Sequence, residues 1–395
     1  MSVVDARLEE LVAYCRAQER PMLTELEELV VHNSHTANRE GATAVCGLLE
    51  RSLASVPCVS VRTIASDAYA PHLVAATVRA GEDPGGCVAL VGHYDTVFPP
   101  GSFEGFRVDG GLVRGPGVLD MKGGLVVMRR ALLALAHVGV LEALPLRMVV
   151  VSDEEVGSPE SADVIERELS RAACALVFEA GRAHDAIITR RKGTGSVRLV
   201  ATGKAAHSGN AHAEGANAIW ALCRAIDEAQ RLTDYARGVT INTGTIAGGQ
   251  GRNTVPDRAE ALLDVRFVTI RDGEDAVACL RLAAARATAA IAGTRVVVEG
   301  GVARPPLERT DATVALYREY ADSARAAGLG DGEAGLIGGG SDAATTGALG
   351  IPSIDGLGPR GTGFHTKNEC VEIATFVPKL EALARFLYAR AVAAS

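Results

Sequence analysis

Short, largely apolar segments recur in the first half of the chain, and they restrict the fold more than any other feature. They lie at residues 87–92 (CVALVG), 146–152 (LRMVVVS) and 175–178 (ALVF), and a helical stretch at residues 124–137 separates the first two. Apolar runs of this length, separated by helices, are typical of strands that are buried on both faces of a mostly parallel sheet. The pattern therefore predicts an α/β domain whose sheet is sandwiched by helices.

A different pattern begins near Gly193. Strands are predicted at residues 196–201, 239–246, 259–268 and 295–302, and helices at 213–232 and 274–291. The order βαββαβ is that of a ferredoxin-like unit, which can stand as its own small domain. The chain then returns to helical patterns without a Pro/Gly-rich linker, and it ends in an amphipathic helix. We therefore expect two domains, with the following bounds: 1–192 together with 305–395, and an inserted domain at 193–304.

Length and composition exclude several classes of protein. A chain of 395 residues is long enough for two domains. Its net charge of −8 provides no basic field for nucleic acid, and no run approaches the ~20 apolar residues of a membrane span. The first fifteen residues lack the apolar core of a signal peptide, and the eight cysteines are scattered singly. These features favour a cytoplasmic enzyme with no nucleic-acid or membrane partner.

Polar side chains follow each of the three buried strand segments. The residues at these strand ends, together with the acid in GPGVLDMKGG, are His93, Asp95, Glu154, Glu155, Glu179 and Asp120. In an open parallel sheet the site lies beyond the carboxyl ends of the strands, so that these side chains are expected to converge. Histidine and carboxylate ligands suit zinc, and the number of acids suggests two metal ions that share one ligand.

Each residue also has an ordinary structural interpretation. A single histidine such as His93 is more often structural, Asp120 could be a helix N-cap, and Glu154 and Glu155 could lie in a solvated loop or the first turn of a helix. The joint pattern of acids or histidine at three strand ends favours the metal site.

Eight motifs, in order along nearly the whole chain, resemble the zinc-dependent aminoacylase and carboxypeptidase family. The motifs are GHYDTV (92–97), GPGVLDMKGG (115–124), SDEEVGS (152–158), FEAG (178–181), GKAAHSG (203–209), LDVRF (263–267), GGGSDA (338–343) and GFHTKNE (363–369). This family includes acetylornithine deacetylase, succinyl-diaminopimelate desuccinylase and the glutamate carboxypeptidases of the carboxypeptidase G type, which the chain resembles most. The resemblance implies a catalytic dinuclear zinc domain with an inserted lid and dimerisation domain.

The resemblance also implies a role for each candidate residue of the metal site. It makes Asp120 the bridging ligand of two Zn²⁺ ions, for which Co²⁺ or Mn²⁺ could substitute. His93 and Glu179 then complete one metal site, and Glu155 and His365 complete the other. Glu154 is implied as the general base, and Asp95 as the carboxylate that orients His93. A cis peptide bond is implied between Asp120 and Met121.

The chemistry that follows from these roles is amide hydrolysis. A water acidified by the two metals gives a proton to Glu154 and attacks an amide carbonyl, and Glu154 then returns the proton to the leaving amine. The resemblance implies that His207, in GKAAHSG, supports the oxyanion from the partner subunit of a homodimer.

Three further residues are expected to bind the substrate. Arg266 alternates with apolar neighbours along its strand, so that it lies on the open face, and it resembles the family arginine that binds the free carboxylate of the substrate. Asn253 matches a family asparagine near the scissile group, and Arg304 falls where the glutamate carboxypeptidases have a second arginine. The family lysine near this pocket has no clear counterpart here; the nearby cations are Arg190, Arg191 and Lys192.

The sequence thus favours a dinuclear zinc amidohydrolase that releases a C-terminal amino acid, such as glutamate, from an N-acyl or peptidyl substrate. An N-acyl-amino-acid deacylase is the alternative, because both reactions act on the unit R-CO-NH-CHR'-COO⁻. A non-catalytic amino-acid-binding dimer is a third hypothesis, and the presence of Glu154 and His207 beside five candidate ligands argues against it.

Overall fold

The computed structural model describes residues 3–81 and 85–394, and these form two compact units. The first unit comprises Met1–Arg190, Arg309–Leu336 and Ser341–Ser395. The second comprises Arg191–Glu308 and the short segment Ile337–Gly340. None of the helices in the described ranges is long and apolar enough to cross a membrane.

The described residues form ten α-helices and sixteen β-strands. The helices are α1 Val3–Arg16, α2 Glu19–Val30, α3 Arg39–Ala54, α4 Lys122–His137, α5 Ser161–Leu169, α6 Ala218–Gln230, α7 Ile270–Ala290, α8 Asp311–Ala326, α9 Asp342–Ala348 and α10 Phe376–Ala394. The strands are β1 Val59–Ile64, β2 His72–Thr77, β3 Val88–His93, β4 Arg107–Asp109, β5 Leu112–Arg114, β6 Leu146–Val151, β7 Cys174–Val177, β8 Gly193–Thr202, β9 Ala206–His207, β10 Thr240–Gly248, β11 Thr254–Val255, β12 Arg258–Phe267, β13 Arg295–Arg304, β14 Ser353–Ile354, β15 Gly361–Thr362 and β16 Cys370–Glu372.

The first unit is built on a six-stranded sheet with the order β1-β2-β6-β3-β7-β14. The pairs β6–β3, β3–β7 and β7–β14 are parallel, whereas β1–β2 and β2–β6 are antiparallel. Every residue of β3, β6 and β7 is buried, as expected for strands covered on both faces. The predicted α/β class with a mostly parallel sheet is confirmed.

Helices pack against this sheet and against each other. Helix α4 packs on β3 and on α10, and α5 and α9 pack together and contact β6 and β7 respectively. Leu125 and Leu132 of α4 and Leu380 and Leu383 of α10 are buried in one hydrophobic core. Burying side chains of this size contributes about 1.5–3 kcal/mol each.

A second sheet of the first unit was not predicted from the sequence. It has the order β15-β16-β5-β4, and each of its strands has only two or three residues. Strand β16 pairs with β5 through Val371 and Val113, both fully buried. This sheet supports the segments that contain Asp120 and His365.

The second unit has a four-stranded antiparallel sheet with the order β10-β12-β8-β13 and the two helices α6 and α7. Ala261, Leu263, Val265 and Phe267 of β12 are buried in the core that α6 and α7 share with the sheet. Leu262, Asp264 and Arg266 alternate with them and are exposed or half-buried. The connectivity is the ferredoxin-like βαββαβ order, with the short ladder β9–β11 added.

Helix α2 begins at Glu19, so that Pro21 is its third residue. Proline is tolerated in the first turn because the amide groups there have no partner within the helix.

Candidate metal centre

Three strands of the parallel sheet place their following residues at one edge. His93 ends β3, Glu154 and Glu155 follow β6 in a single helical turn, and Glu179 follows β7 by two residues. Because β3, β6 and β7 are parallel neighbours, their carboxyl ends lie side by side.

Two loops outside the central sheet complete the cluster. Asp120 precedes α4, and its peptide bond to Met121 is cis, as the resemblance implies. His365 lies in the loop between β15 and β16 with a backbone φ of 61°. A positive φ is uncommon for histidine, and such conformations often occur at functional sites.

These residues form two groups that share Asp120. In the first group the Nε2 atom of His93 lies 3.3 Å from Oδ1 of Asp120 and 3.7 Å from Oε1 of Glu179. In the second group the Nε2 atom of His365 lies 3.1 Å from both Oδ2 of Asp120 and Oε2 of Glu155. Within each group one ligand atom from each residue lies within 4.8 Å of the others. Each oxygen of Asp120 therefore faces a different histidine.

The first group fits a cation better than it fits hydrogen bonding. His93 Nδ1 lies 3.0 Å from the backbone oxygen of Asp95, an acceptor, so that Nδ1 is the donor of this contact and Nε2 is the atom that faces two carboxylates. Both His93 Nε2 and Asp120 Oδ1 are buried and have no hydrogen-bond partner among the described residues. A cation bound between them would satisfy both atoms, and a nitrogen with two carboxylate oxygens is a donor set that Zn²⁺ accepts.

The pKa shifts reflect the same concentration of negative charge. Burial and the charge of Asp120 raise the pKa of Glu179 well above its ordinary value. Burial, opposed by a hydrogen bond with His365, raises the pKa of Glu155 to about 7. Hydrogen bonds with Asp120 and Glu155 raise the pKa of His365 to about 10. Among the described residues, the cluster therefore contains more acidic side chains than basic ones.

Asp120 and His93 are shifted by each other. Burial alone would raise the pKa of Asp120, but a hydrogen bond with His365 and the proximity of His93 hold it well below its ordinary range. Burial lowers the pKa of His93, but the neighbouring carboxylates of Asp120 and Asp95 outweigh it and raise that pKa well above its ordinary value. The carboxylate of Asp120 therefore ionises more readily than those of Glu155 and Glu179.

Asp95 joins the two halves of the cluster. Its fully buried carboxylate lies 3.3 Å from Nδ1 of His93. It also accepts the backbone N–H groups of Glu154 and Glu155, at 3.3 and 3.2 Å, and the hydroxyl of Thr36 at 2.7 Å. Asp95 thus fixes both a histidine ring and the turn that contains Glu154. The contact with Thr36 was not predicted, because Thr36 lies 59 positions earlier in the chain.

Two candidate residues of the second unit lie at the short ladder β9–β11, with Asn253 directly before β11. His207 ends β9 and is exposed, and its Nδ1 accepts the N–H groups of Gly209 and Asn210 at 3.1 and 3.2 Å. Asn253 is exposed, and its backbone oxygen accepts the N–H of Ser208 at 3.0 Å. The ring of His207 therefore has Nε2 as its proton-bearing atom.

Arg266 and Arg304 lie on either side of one residue of the four-stranded sheet. Thr194 of β8 is in register with Arg266 of β12 and with Arg304 of β13. Cross-strand partners share a face of the sheet, so that the two arginines are near neighbours within this unit. Arg266 Nε pairs with Asp264 at 2.8 Å, and Arg304 is buried.

The glycine-rich segment at residues 338–340 accepts hydrogen bonds from Arg266 and from a third arginine of the second unit. Arg191 donates to the carbonyls of Gly339 and Gly340 at 3.1 and 3.4 Å, and Arg266 donates to the carbonyl of Gly338 at 3.4 Å. The sequence identified Arg191 only as one of three nearby cations. Of the other two, Lys192 donates to the carbonyl of Gly238 and Arg190 is exposed.

Comparison with known proteins relates this chain to metal-dependent peptidases. The family model "Peptidase family M20/M25/M40" matches residues 89–389. Carboxypeptidase G2 of Pseudomonas sp. (strain RS-16) is 30% identical over 375 residues, which cover 92% of this chain and 87% of that protein. Acetylornithine deacetylase of Myxococcus xanthus is 29% identical over 204 residues, 48% of this chain and 52% of that protein.

Solved structures share the fold at lower sequence identity. Aminopeptidase PepT of Bacillus cereus has a TM-score of 0.76 at 22% identity, and the match covers 94% of this chain and 99% of that one. The M20 family metallo-carboxypeptidase Sso-CP2 of Sulfolobus solfataricus has a TM-score of 0.71 at 19% identity, with 94% and 99% coverage.

Proposed function

The chain belongs to peptidase family M20/M25/M40 and is a hydrolase, and on that basis we propose that it is a dinuclear metal amidohydrolase. The reaction that we propose releases a C-terminal amino acid, with glutamate favoured, from an N-acyl or peptidyl substrate. One observation carries the proposal: the two carboxylate oxygens of Asp120 face two different histidines, each accompanied by a further acid.

Two Zn²⁺ ions are the cofactor that we propose, and Co²⁺ or Mn²⁺ are alternatives with the same donor preferences. His93, Asp120 and Glu179 would hold one ion, and Asp120, Glu155 and His365 the other. Charge supports two ions, because three ligand carboxylates and the nearby Glu154 exceed what one divalent cation neutralises.

Each of several residues of this chain would perform one part of the hydrolysis. Divalent ions held by the ligands would polarise the scissile carbonyl and acidify the attacking water. Glu154 accepts the proton of that water and delivers it to the leaving nitrogen. Asp95 holds the turn of Glu154 through its backbone N–H. We further propose that His207 donates from Nε2 to the carbonyl oxygen as negative charge develops there, and that it acts across a homodimer.

The arginines of the second unit support a substrate with two carboxylates. Arg266 is the proposed ligand of the α-carboxylate, Arg304 of a glutamate side chain, and Asn253 of the scissile group. Arg191 and Arg266 donate to carbonyls of residues 338–340, a Cβ atom at Gly340 would lie 2.7 Å from Cδ of Arg304, and Asp264 is the acid paired with Arg266. The excess positive charge suits an anionic leaving group. The similarity to carboxypeptidase G2 favours the same assignment.

An N-acyl-amino-acid deacylase is the second candidate, because the similarity to acetylornithine deacetylase covers 48% of the chain. In a carboxypeptidase the leaving amino acid determines the rate of hydrolysis, whereas in a deacylase the acyl group does. Purified protein of measured metal content should be assayed with folate, peptidyl-glutamate and a series of acetyl amino acids. Carboxypeptidase activity predicts that the glutamate-terminated substrates have the highest kcat/KM, whereas deacylase activity predicts a preference for the acetyl series.

Glu154→Gln protein, prepared identically, provides the background for contaminating hydrolases. A metal-loaded parent that hydrolyses no member of the panel faster than this variant would refute the proposed function.

A further inference from the structure

Glu369 is a fully buried carboxylate four residues after His365. Its Oε1 atom accepts the backbone N–H of Leu119 at 2.9 Å and that of Asp120 at 3.0 Å. Asp120 is the acid that both ligand groups share. Glu369 therefore binds the backbone from which the shared ligand projects.

The loop that contains His365 is closed by its own hydrogen bonds. The N–H of Thr366 donates to the carbonyl of Gly363 at 3.0 Å, and the N–H of Glu369 donates to the carbonyl of Thr366 at 3.1 Å. Gly363 has a φ of 79°, and a Cβ atom there would lie 2.6 Å from the carbonyl oxygen of Asn368. The loop is thus too tight for another residue at that position, and whatever fixes Glu369 also restrains His365.

The strands on either side of this loop add a second connection. Strand β16, which begins directly after Glu369, pairs with β5, and β5 leads after five residues into Asp120. The pairing brings the two loops together, but it does not determine how the backbone of Asp120 is oriented. The hydrogen bonds from Leu119 and Asp120 to Glu369 supply that orientation.

The second oxygen of Glu369 argues against a purely stabilising role. Oε2 is buried and has no hydrogen-bond partner of ordinary geometry among the described residues, and the further donor near the carboxylate is the backbone N–H of Gly117. A buried carboxylate with hydrogen bonds to only one of its oxygens contributes little to the stability of the fold. The free energy of desolvating the unpaired oxygen offsets the stabilisation from the hydrogen bonds to the other oxygen. The residue is better explained by the geometry that it imposes.

We propose that Glu369 is a positioning residue for the metal centre. Through the two hydrogen bonds that Oε1 accepts, it holds Oδ2 of Asp120 and Nε2 of His365 at the 3.1 Å separation from which both can bind one metal ion. This inference rests on the proposed function only in taking these residues as metal ligands, and it is independent of the substrate.

The test compares metal binding and backbone protection in two variants. Glu369→Gln keeps the volume and one acceptor but removes the charge, and Glu369→Ala removes the acceptor. Metal-free protein is titrated with Co²⁺, and binding is monitored by calorimetry and by the visible absorption of the bound ion. We expect the parent to bind two equivalents of Co²⁺ and the variant His365→Ala to lose one of them. The same equivalent should bind about 10- to 100-fold more weakly in Glu369→Ala, and the loss of affinity should be smaller in Glu369→Gln.

Hydrogen exchange of the metal-free protein supplies a second measurement. The amides of Leu119 and Asp120 should exchange faster in both variants, because they lose their acceptor or its charge. Glu25→Gln is the matched control: Glu25 is a buried glutamate of the same unit that accepts from Arg129 and Arg130 at 2.8 and 2.7 Å. We expect it to lower the melting temperature but to leave Co²⁺ affinity and the exchange of residues 119 and 120 at the parent values.

Parent-like Co²⁺ affinity together with parent-like exchange at residues 119 and 120 in both variants would overturn the inference. If Glu369→Ala does not fold, Glu369→Gln decides alone, through the same two measurements. A parent that binds fewer than two equivalents would instead contradict the dinuclear proposal, and the exchange rates would still test the position of Glu369.

Discussion

The carboxylate of Asp95 lies 3.3 Å from Nδ1 of His93, and the same carboxylate accepts the N–H groups of the turn that follows β6. A proposed metal ligand and the proposed general base are thus oriented by one side chain. We expect Asp95→Asn to reduce metal affinity or kcat by about 10- to 100-fold, because outer partners of ligating histidines have effects of that size. Calorimetric metal titration and steady-state kinetics measure the two quantities.

Thr36→Val provides the graded comparison for this prediction. Thr36 donates to Oδ2 of Asp95 at 2.7 Å and contacts no proposed ligand directly, so that its loss should reduce the same quantities less than Asp95→Asn does. Parent-like metal affinity and parent-like kcat in Asp95→Asn would show that the carboxylate is dispensable for positioning His93.

Glu154 and Glu155 are adjacent, but we predict opposite effects of their substitution. Glu154→Gln should keep both metals and reduce kcat by about 10³-fold, because removal of a general base typically reduces the rate 10² to 10⁴-fold and here the base serves two proton transfers. Glu155→Gln should lower the metal content. Atomic absorption and kcat measured on the same samples check both; if Glu154→Gln lost metal while Glu155→Gln retained it, the two roles would have to be exchanged.

Removal of metal should destabilise the protein. A ligand at 100 times its dissociation constant stabilises the folded state by about 2.7 kcal/mol per site. Chelation also leaves buried acids such as Glu155 and Glu179 without a neutralising cation. We therefore expect calorimetry to show a melting temperature several degrees lower after chelation, restored by added Zn²⁺. In Glu155→Gln, chelation should lower the melting temperature by less. If chelation did not change the melting temperature of the parent, the cluster would bind no metal in the folded state.

The sequence predicted the part of this site that depends on the central sheet. His93, Glu154, Glu155 and Glu179 follow buried strands, and the neighbouring carboxyl ends of parallel strands bring such residues together. Asp120 had a weaker signal, as an acid just before an apolar helix, which a helix N-cap would explain equally well. His365 lies in a loop of a sheet whose strands are too short to show alternation, and only its resemblance to a known motif identified it.

Contacts between distant loops were beyond sequence reasoning. Glu369 lies in a polar stretch, TKNE, that reads as an exposed loop, and its burial follows from the pairing of β16 with β5. The approach of Arg191 to Gly339 joins residues 148 positions apart. Neither contact leaves a periodic pattern in the chain.

The proposed role of His207 predicts complementation between inactive variants. If His207 acts across a homodimer, His207→Ala and Glu154→Gln are each inactive alone, because every site then lacks one group. A mixed dimer pairs one intact His207 with one intact Glu154, so that up to half of the parent activity should return. Co-expression with two affinity tags isolates the heterodimer for assay. Absence of recovery in a verified heterodimer would assign His207 to its own subunit or exclude it from the reaction.

The last prediction concerns Arg266 and Arg304, which flank Thr194 and which we propose as the residues that determine the substrate class. Loss of a charge-assisted contact to a carboxylate costs roughly 2 to 4 kcal/mol, about 30- to 1000-fold in kcat/KM. Arg266→Ala should therefore impair every substrate with a free C-terminal carboxylate, whereas Arg304→Ala should impair only those that end in an acidic residue. The measurement is kcat/KM for matched substrates that end in Glu, Ala and Ala-amide. Equal turnover of Ala and Ala-amide by the parent would exclude carboxylate recognition, and with it both the carboxypeptidase and the deacylase assignments.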